Sequence, residues 1–416
     1  MSIVDLPSTA GNRAATRPSR LPTLTGMRFI AAAMVFLFHA DLQGLFDSPE
    51  AGSALHAIAS QGGWTGVGFF FILSGFVLTW AARPGDSTRS FWRRRFFKIY
   101  PNHLVTFIAA VLLITLVAQE TVEIWRAIPN LLLVQSWFPD LNTSLSLNTV
   151  SWSLSAELLF YLSFPLLLRF ISRIRPERLW FWAGGVVAVI LLVPVIAGTM
   201  PPSEPWMPWA NATPTEFWFV YIMPPVRMLE FVFGIILARI VLTGRKVPLG
   251  LGGAMALSVL AYFVAPMFPG TYPIAAVTAL PLGLLIAAGA VADVQGRRTL
   301  LSSRAMVWLG EVSFAFYMWQ ILVLIYGHQL IAGVDQPATF PLPGAGYSTP
   351  VALAVLVLLF GVSLLLAWAT YALVEQPIMR RFARSRRRPH AAAQAPAIES
   401  LVAPPKQAPP AQEPVA

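Results

Sequence analysis

The sequence predicts an all-α integral membrane protein, a bundle of about ten transmembrane helices. Hydrophobic residues make up 56% of its 416 residues and charged residues only 12%, whereas globular domains carry roughly 25% charged residues. The mean hydropathy is +0.65. The chain has no Cys, which excludes disulfides, thiolate nucleophiles and Cys-based zinc sites. Together these figures exclude an ordinary soluble enzyme.

Ten apolar runs are long enough, at about 20 residues each, to span a bilayer. In chain order they are 21–40, 64–82, 99–118, 151–171, 179–199, 216–242, 248–267, 273–292, 305–327 and 350–376. Pro224 and Pro225 interrupt the sixth run, so we expect that helix to be kinked or partly unwound. The segment 124–138 contains a Pro and is too short to span, which predicts an interfacial or re-entrant segment.

Three regions follow from this pattern. Residues 1–20 form a polar arm without the apolar stretch of a signal peptide, so we expect the first helix to be retained. Residues 21–382 form the membrane domain. Residues 383–416 begin with a basic run and continue as an Ala/Pro-rich stretch that lacks the apolar surface needed to fold, which predicts a disordered tail.

The distribution of charge predicts the orientation in the membrane. Apart from Arg126 and Arg227, all of the 29 Lys and Arg residues fall in the loops and helix ends on the side of the N-terminus. By the positive-inside rule both termini are cytoplasmic, and the protein is a multi-pass protein of the cell membrane. The net charge of +10 therefore reflects topology and attraction to anionic lipid headgroups. Nucleic acid is not an expected partner.

The first predicted helix carries Arg28 and His39 with ten apolar residues between them. In an α-helix the two residues lie ~16 Å apart along the axis and about 20° apart around it, so they share one face. The run between them is too short to span a hydrocarbon core of roughly 30 Å, so we expect this face to look into protein or a wet cavity. Alternatively, the Arg28 side chain extends to the cytoplasmic headgroups, and His39 is an interfacial residue whose hydrogen-bonding groups are satisfied.

A basic cluster lies at the cytoplasmic start of the third helix. It contains Arg94, Arg95 and Lys98, a combination that suits phosphate groups, because Arg binds them bidentately and Lys acts as a point charge. The alternative is that these cations only follow the positive-inside rule and bind no ligand. Ser74, in the second helix, could line a cavity nearby.

Three carboxylate and guanidinium groups fall inside later helices. Glu157 lies about 9 Å from the outer end of its helix, a depth comparable with that of His39, so it could orient His39 and stabilise its protonated form. The alternative is a carboxylate bonded to neighbouring Trp, Tyr or Ser residues for packing. Arg227 and Glu230 can neutralise each other as a structural or functional intramembrane pair.

Taken together, these residues resemble the acyltransferase 3 family of integral membrane O-acyltransferases. The family hallmark, a basic residue and a His separated by ten residues in the first helix, is matched by Arg28 and His39. Five further family segments match in order, at Phe70–Phe76, Phe91–Pro101, Trp152–Tyr161, Arg227–Gly234 and Glu375–Pro377. Two positions depart from the pattern. Lys98 replaces an Arg and loses bidentate geometry, and Gln320 stands where a His is common, a position expected to shape the acceptor site.

The resemblance implies acyl transfer from acyl-coenzyme A to a hydroxyl group, with no metal and no permanently bound cofactor. Acceptors in the family include envelope polysaccharides, lipid-linked sugars and, in antibiotic producers, macrolides and related glycosylated metabolites, and the chain is most similar to this last subgroup. His39 would act as general base or form an acyl-His intermediate, oriented by Glu157. The residues expected to bind the donor are Arg28, Arg94, Arg95, Lys98 and Ser74.

The opposing hypothesis is a membrane transporter or flippase. The charges that would form its substrate or proton path are Arg28, Glu157, Arg227 and Glu230. The sequence shows no inverted internal repeat, and its basic cluster is typical of a phosphate site, so the acyltransferase is favoured.

Overall fold

The computed structural model describes residues 18, 20–82, 86–201, 212–333 and 346–382. Within these ranges the chain is helical and carries no β-strand, which confirms the predicted all-α class. The predicted tail 383–416 and most of the predicted arm 1–20 lie outside the described residues. The α-helices are α1 (Pro22–Asp41), α2 (Pro49–Ala59), α3 (Gly62–Ala81), α4 (Thr88–Leu116), α5 (Ile124–Leu131), α6 (Leu141–Ser144), α7 (Trp152–Ile171), α8 (Leu179–Ala197), α9 (Pro214–Phe217), α10 (Pro224–Leu242), α11 (Leu251–Val264), α12 (Ala276–Val294), α13 (Arg304–Ala332), α14 (Thr349–Thr370) and α15 (Gln376–Phe382).

A helix lies at each of the ten predicted membrane segments. Eight helical segments of the described chain are long and apolar enough to cross a bilayer, which confirms a multi-pass membrane protein. They are Pro22–Asp41, Pro49–Ala81, Thr88–Leu116, Thr149–Ile171, Pro176–Ala197, Tyr272–Val294, Arg304–Ala332 and Thr349–Phe382. Of the other two, α10 has 19 residues but carries three charged side chains. α11 has 14 residues and is about 21 Å long, shorter than a hydrocarbon core of roughly 30 Å.

The helices form an inner and an outer group. In their most apolar windows, 83% of Tyr272–Val294 and 72% of Arg304–Ala332 is buried, against 28% of Thr88–Leu116 and of Thr349–Phe382. The outer helices therefore expose apolar side chains where a bilayer would surround them. α1 packs against α3 and α13, and α3 packs in turn against α10 and α12. The helix that carries Arg28 and His39 thus lies among the inner helices.

Two features fix the start of α1. Pro22 occupies its first turn, where the missing N–H costs no hydrogen bond. The backbone N–H of Thr23 donates to both carboxylate oxygens of Asp293 on α12, at 3.1 and 3.0 Å. A carboxylate at a helix N-terminus satisfies free N–H groups and complements the helix dipole, so α12 holds α1 in register.

α3 and α10 cross with their backbones in contact. A Cβ on Gly75 would lie 2.0 Å from the backbone oxygen of Phe231, and one on Gly234 would lie 1.9 Å from that of Ile72. Only Gly fits at both positions, and such small residues allow close helix approach inside membranes. This crossing brings the buried charges of α10 beside α3.

The predicted break at the Pro pair is present. Residues Trp218–Ile222 form a π-helical turn, and Met223 leaves the helical conformation with φ −58° and ψ 117° before α10 begins at Pro224. A residue that precedes Pro is disfavoured in the α region. The sixth predicted segment is therefore interrupted rather than continuous.

The segment 124–138 forms α5 and a 3₁₀ turn, Gln135–Trp137, in agreement with the prediction that it does not span. His103 Nε2 of α4 lies 3.0 Å from the backbone oxygen of Asn130. Asn130 Nδ2 donates to the backbone oxygen of Ser146 at 2.7 Å. These bonds hold the segment against α4 and the loop that leads to α7, where it contributes to the wall around His39.

Candidate functional site

Three cavities follow one another inside the bundle. The first, the histidine cavity, has a volume of 420 Å³ and contains His39 on its wall. The second, the arginine cavity, has a volume of 60 Å³ and is lined by Arg28 and Glu157. The third, the basic cavity, has a volume of 270 Å³ and is lined by Arg94 and Arg95.

Shared residues connect the first two cavities, and one side chain lies between the second and the third. Val67 and Tyr317 line both the histidine cavity and the arginine cavity. Tyr161 lies between the arginine cavity and the basic cavity. Its hydroxyl donates to Glu157 Oε2 at 2.8 Å, and its ring centroid lies 5.9 Å from the Arg95 guanidinium. α1 thus presents Arg28 and His39 to adjoining spaces, as their spacing predicts.

His39 is held by aromatic rings and by one amide. Its ring lies 5.3 Å from that of Phe38, which in turn lies 4.8 Å from that of Trp64. Its Nδ1 lies 2.8 Å from Nε2 and 3.2 Å from Oε1 of the buried Gln320 on α13. With Nδ1 engaged by Gln320, Nε2 is the ring nitrogen left for chemistry.

The predicted contact between Glu157 and His39 is wrong. Among the described residues no hydrogen bond or ion pair joins these two side chains; Glu157 accepts from Tyr161 instead. Its charge interacts with the charges of Arg28, Arg95 and Lys98, on the side of the arginine cavity. A depth estimate from helix rise does not fix how two helices are rotated against each other, so equal depth did not produce a contact.

Arg28 and Arg95 have no carboxylate ion-pair partner among the described residues. Arg95 instead lies 5.7 Å from the ring of Phe91 and 5.9 Å from that of Tyr161, and its Nε has no hydrogen-bond partner. Both residues are partly buried, and taking a guanidinium out of water without a partner is costly. Both groups are therefore suited to receive an anion from a ligand.

The two other cations predicted to bind the donor have carboxylate partners. Arg94 is paired with Asp86. Lys98 is paired with the buried Glu375, which also accepts from Asn102 Nδ2 at 2.6 Å. These partners neutralise part of the basic cluster, so its cations are not equivalent.

Ser74 is not among the residues that line the three cavities. Its hydroxyl lies near that of Tyr161, next to Glu157. The structure therefore places Ser74 close to the boundary between the arginine cavity and the basic cavity.

Arg227 and Glu230 form an ion pair of 2.7 Å with side chains 1% and 3% exposed. The Arg227 guanidinium also lies 5.2 Å from the ring of Phe71 and 5.4 Å from that of Tyr221. Tyr221 lines the histidine cavity. The predicted intramembrane pair is thus formed, one layer behind the wall of that cavity, where it favours a supporting role.

Polar groups at one part of the histidine cavity come from the segments between α4 and α7. Glu120, Arg126 and Asn142 line the cavity there. Asp140 caps α6 by accepting from Thr143 N at 3.0 Å. Partial burial opposes the shift, but hydrogen bonds from Thr143 and Asn142 lower the pKa of Asp140 below its usual value, so the cap stays charged at neutral pH.

Three residues of the site were not assigned their observed contacts from the sequence. Tyr161 and Glu375 lie in segments that matched family patterns, and Gln320 marked a departure from one. The signal for each was present, but apart from the Tyr161–Glu157 hydrogen bond within α7, their contacts connect helices far apart in the chain. Helix packing, which spacing along one segment does not reveal, determines them.

Helices, cavities and charges together describe an integral membrane protein with an internal series of cavities, basic at one end and carrying a His at the other. A family model described as an acyltransferase domain, that of acyltransferase 3, matches residues 21–372. The chain belongs to the acyltransferase 3 family, and it is an O-acyltransferase rather than the alternative transporter.

Relatives support this assignment. The chain is 43% identical over 387 residues to the acyltransferase MdmB of Streptomyces mycarofaciens, covering 92% of this chain and 97% of that protein. It is 24% identical over 340 residues to the peptidoglycan O-acetyltransferase OatA of Listeria monocytogenes, covering 74% of this chain and 50% of that protein, so it spans half of OatA. It is 27% identical over 332 residues to the exopolysaccharide production protein ExoZ of Rhizobium meliloti, covering 78% and 92%. No solved structure matches the chain.

Proposed function

We propose that this protein, in the cytoplasmic membrane, transfers an acetyl or other short acyl group from acyl-coenzyme A to a hydroxyl group of a glycosylated metabolite such as a macrolide. The observation that carries the proposal is the order of groups along the cavities. Arg28 and Arg95, which have no carboxylate ion-pair partner in the described part of the chain, precede His39, which has a ring nitrogen left free.

The donor is assigned by charge. The phosphates of coenzyme A would meet Arg95 and Arg28, because guanidinium groups bind phosphate bidentately. Arg94 and Lys98 would add a weaker, partly neutralised field. The pantetheine arm would then follow the face of α1 past Val67 and Tyr317, which brings the thioester to His39.

The chemistry is assigned to His39. As general base, Nε2 takes the proton of the acceptor hydroxyl while the oxygen attacks the thioester carbonyl. The C–S bond breaks, coenzyme A leaves as a thiolate, and the proton held by His39 returns to that sulfur. As nucleophile, the same Nε2 would first carry the acyl group. Both routes need an Nε2 without a proton.

The acceptor is assigned by the walls of the histidine cavity. Most of its lining side chains are aromatic or aliphatic, among them Phe38, Trp64 and Ile325. Its 420 Å³ falls within the range of small-molecule pockets, roughly 300–1,000 Å³. Because Glu120, Arg126 and Asn142 also line this cavity, its walls favour an acceptor that carries both an apolar body and hydroxyl groups. An envelope glycan, the class that the names of OatA and ExoZ indicate for those proteins, is the alternative acceptor.

The test is acyl transfer by membranes that contain the protein, with radiolabelled acetyl-coenzyme A as donor. Glycosylated macrolides and peptidoglycan fragments are offered separately as acceptors, and membranes from cells without the gene are the control. Label in a small organic-extractable product supports the proposal. Label in polymer alone would replace the macrolide by a glycan acceptor. Label in neither product, with coenzyme A binding also absent, would contradict the assignment of the donor.

A further inference from the structure

Gln320 lies inside the bundle where α13 faces α1. Its side chain is fully buried, and its amide is the hydrogen-bond partner of His39 Nδ1. Tyr317, one turn earlier on α13, lines the histidine cavity beside His39. α13 therefore supplies both a wall of the cavity and the group that fixes its His.

The contact at Nδ1 controls which ring nitrogen carries the proton. A neutral imidazole has one N–H and one lone pair, and the hydrogen bond at one nitrogen selects the state of the other. If the amide oxygen accepts from Nδ1–H, Nε2 keeps its lone pair. If the amide nitrogen donates to Nδ1, Nε2 carries the proton and is neither a base nor a nucleophile.

We propose that Gln320 is the positioning residue of the acyl transfer, and that its Oε1 accepts from Nδ1–H and holds His39 with Nε2 unprotonated towards the cavity. This inference rests on the proposed function of His39. Oε1 lies 3.2 Å from Nδ1, and rotation of the amide by half a turn exchanges the positions of its oxygen and nitrogen. Only the orientation with the oxygen at Nδ1 leaves Nε2 unprotonated, as the proposed acyl-transfer step requires.

An amide differs from a carboxylate in this position, because it orients the ring without adding a negative charge. Among the described residues His39 has no carboxylate partner. The charged or titratable groups that line the same cavity are Glu120, Arg126, Tyr221, Tyr317 and Tyr326. The amide therefore orients the ring of His39 without the negative charge that would stabilise its imidazolium form.

The first variant is Gln320→Leu, which keeps the approximate volume but removes the hydrogen bond. We expect kcat for acetyl transfer to fall about 10- to 100-fold, the range for the loss of an orienting partner, while KM for acetyl-coenzyme A changes less than about twofold. The matched control is Gln329→Leu, the same change at another buried Gln of α13, half a turn around the helix from Gln320. This control should keep wild-type kcat.

The second variant is Gln320→Glu, which keeps an acceptor oxygen but adds a charge. A carboxylate stabilises the imidazolium form, so we expect the acid limb of the kcat–pH profile to move to higher pH, with activity retained at alkaline pH. Gln320→Leu should lower the whole profile without that displacement. A purely structural role would produce no such difference between the two variants.

The outcomes separate this inference from the proposed function. Wild-type kcat in well-folded Gln320→Leu, with His39→Ala inactive, would overturn the role of Gln320 and leave the proposed function intact. An active His39→Ala variant would overturn the role of His39 itself. If Gln320→Leu does not fold, the Gln320→Glu profile decides, and an unmoved acid limb would overturn the inference.

Discussion

The two ends of the cavity-facing side of α1 differ in how they handle charge. At the Arg28 end, the charges of four side chains on three helices interact, those of Arg28, Arg95, Lys98 and Glu157. At the other end, the partner of His39 is the neutral amide of Gln320. Both ends lie on one helix, ~16 Å apart along its axis, and the wall residues Val67 and Tyr317 join their cavities.

This difference indicates a division of labour. Positive charge that carboxylates neutralise only in part suits the binding of a phosphate-rich donor, because ionic hydrogen bonds are strongest where water is excluded. A neutral environment suits a base that must be unprotonated near pH 7. In the proposed mechanism, this separation keeps the charges that would bind the donor away from the His that would react.

The largest expected effect belongs to His39→Ala. If His39 is the general base or the acyl carrier, its removal should lower kcat by on the order of 10²–10⁴-fold. Because no donor-binding group is touched, the Kd for coenzyme A should stay within about threefold of wild type. Radiolabel transfer measures the first quantity, and equilibrium binding to purified protein in detergent measures the second.

His56→Ala provides the matched control for this variant. His56 lies on α2, and its Nδ1 is 2.8 Å from Asp41 at the exposed end of α1. We expect transfer near the wild-type rate, since this His is outside the cavities. Substantial turnover by well-folded His39→Ala would contradict the division of labour at its reactive end.

A smaller effect is expected for Arg95→Ala, measured as affinity for coenzyme A. The loss of a charge-assisted hydrogen bond costs about 1.5–3 kcal/mol, which corresponds to a roughly 10- to 100-fold increase in Kd. Arg94→Ala is the matched control, because Arg94 is already paired with Asp86 and partly exposed. Its Kd should change by no more than about threefold.

These two Arg variants sharpen the comparison between paired and unpaired cations. Equal losses at Arg94 and Arg95 would show that the pairing with Asp86 does not set the strength of the site. If neither variant loses affinity for coenzyme A, the donor does not bind in the basic cavity. Binding isotherms at two ionic strengths add a check, since screening weakens exposed charges more than buried ones.

The sequence predicted the helices well because the bilayer makes each span a long apolar run, which is visible within a single segment. It also predicted the Pro break and the common face of Arg28 and His39, because each of these features is likewise determined within a single segment. A neighbouring Tyr was one of the alternatives for Glu157, whereas the partner of His39 could not be predicted in this way. Tyr161 lies one turn from Glu157, whereas Gln320 lies on a helix distant in sequence, and helix rotation decides which pair meets.

The smallest effect on donor affinity is expected at Lys98, where the family pattern has an Arg. Lys98→Arg keeps the charge beside Glu375, so the Kd for coenzyme A and the thermal midpoint should stay within about threefold and a few degrees of wild type. Lys98→Glu is the contrasting control, because it places a second carboxylate against the buried Glu375 and should weaken both binding and folding.

The double variant Lys98→Glu/Glu375→Lys then separates the effect on binding from the effect on folding. If it restores the midpoint but not the affinity, the position of the positive charge matters for the donor. If affinity for coenzyme A is unchanged in Lys98→Glu, Lys98 serves only to tie α4 to the turn after α14.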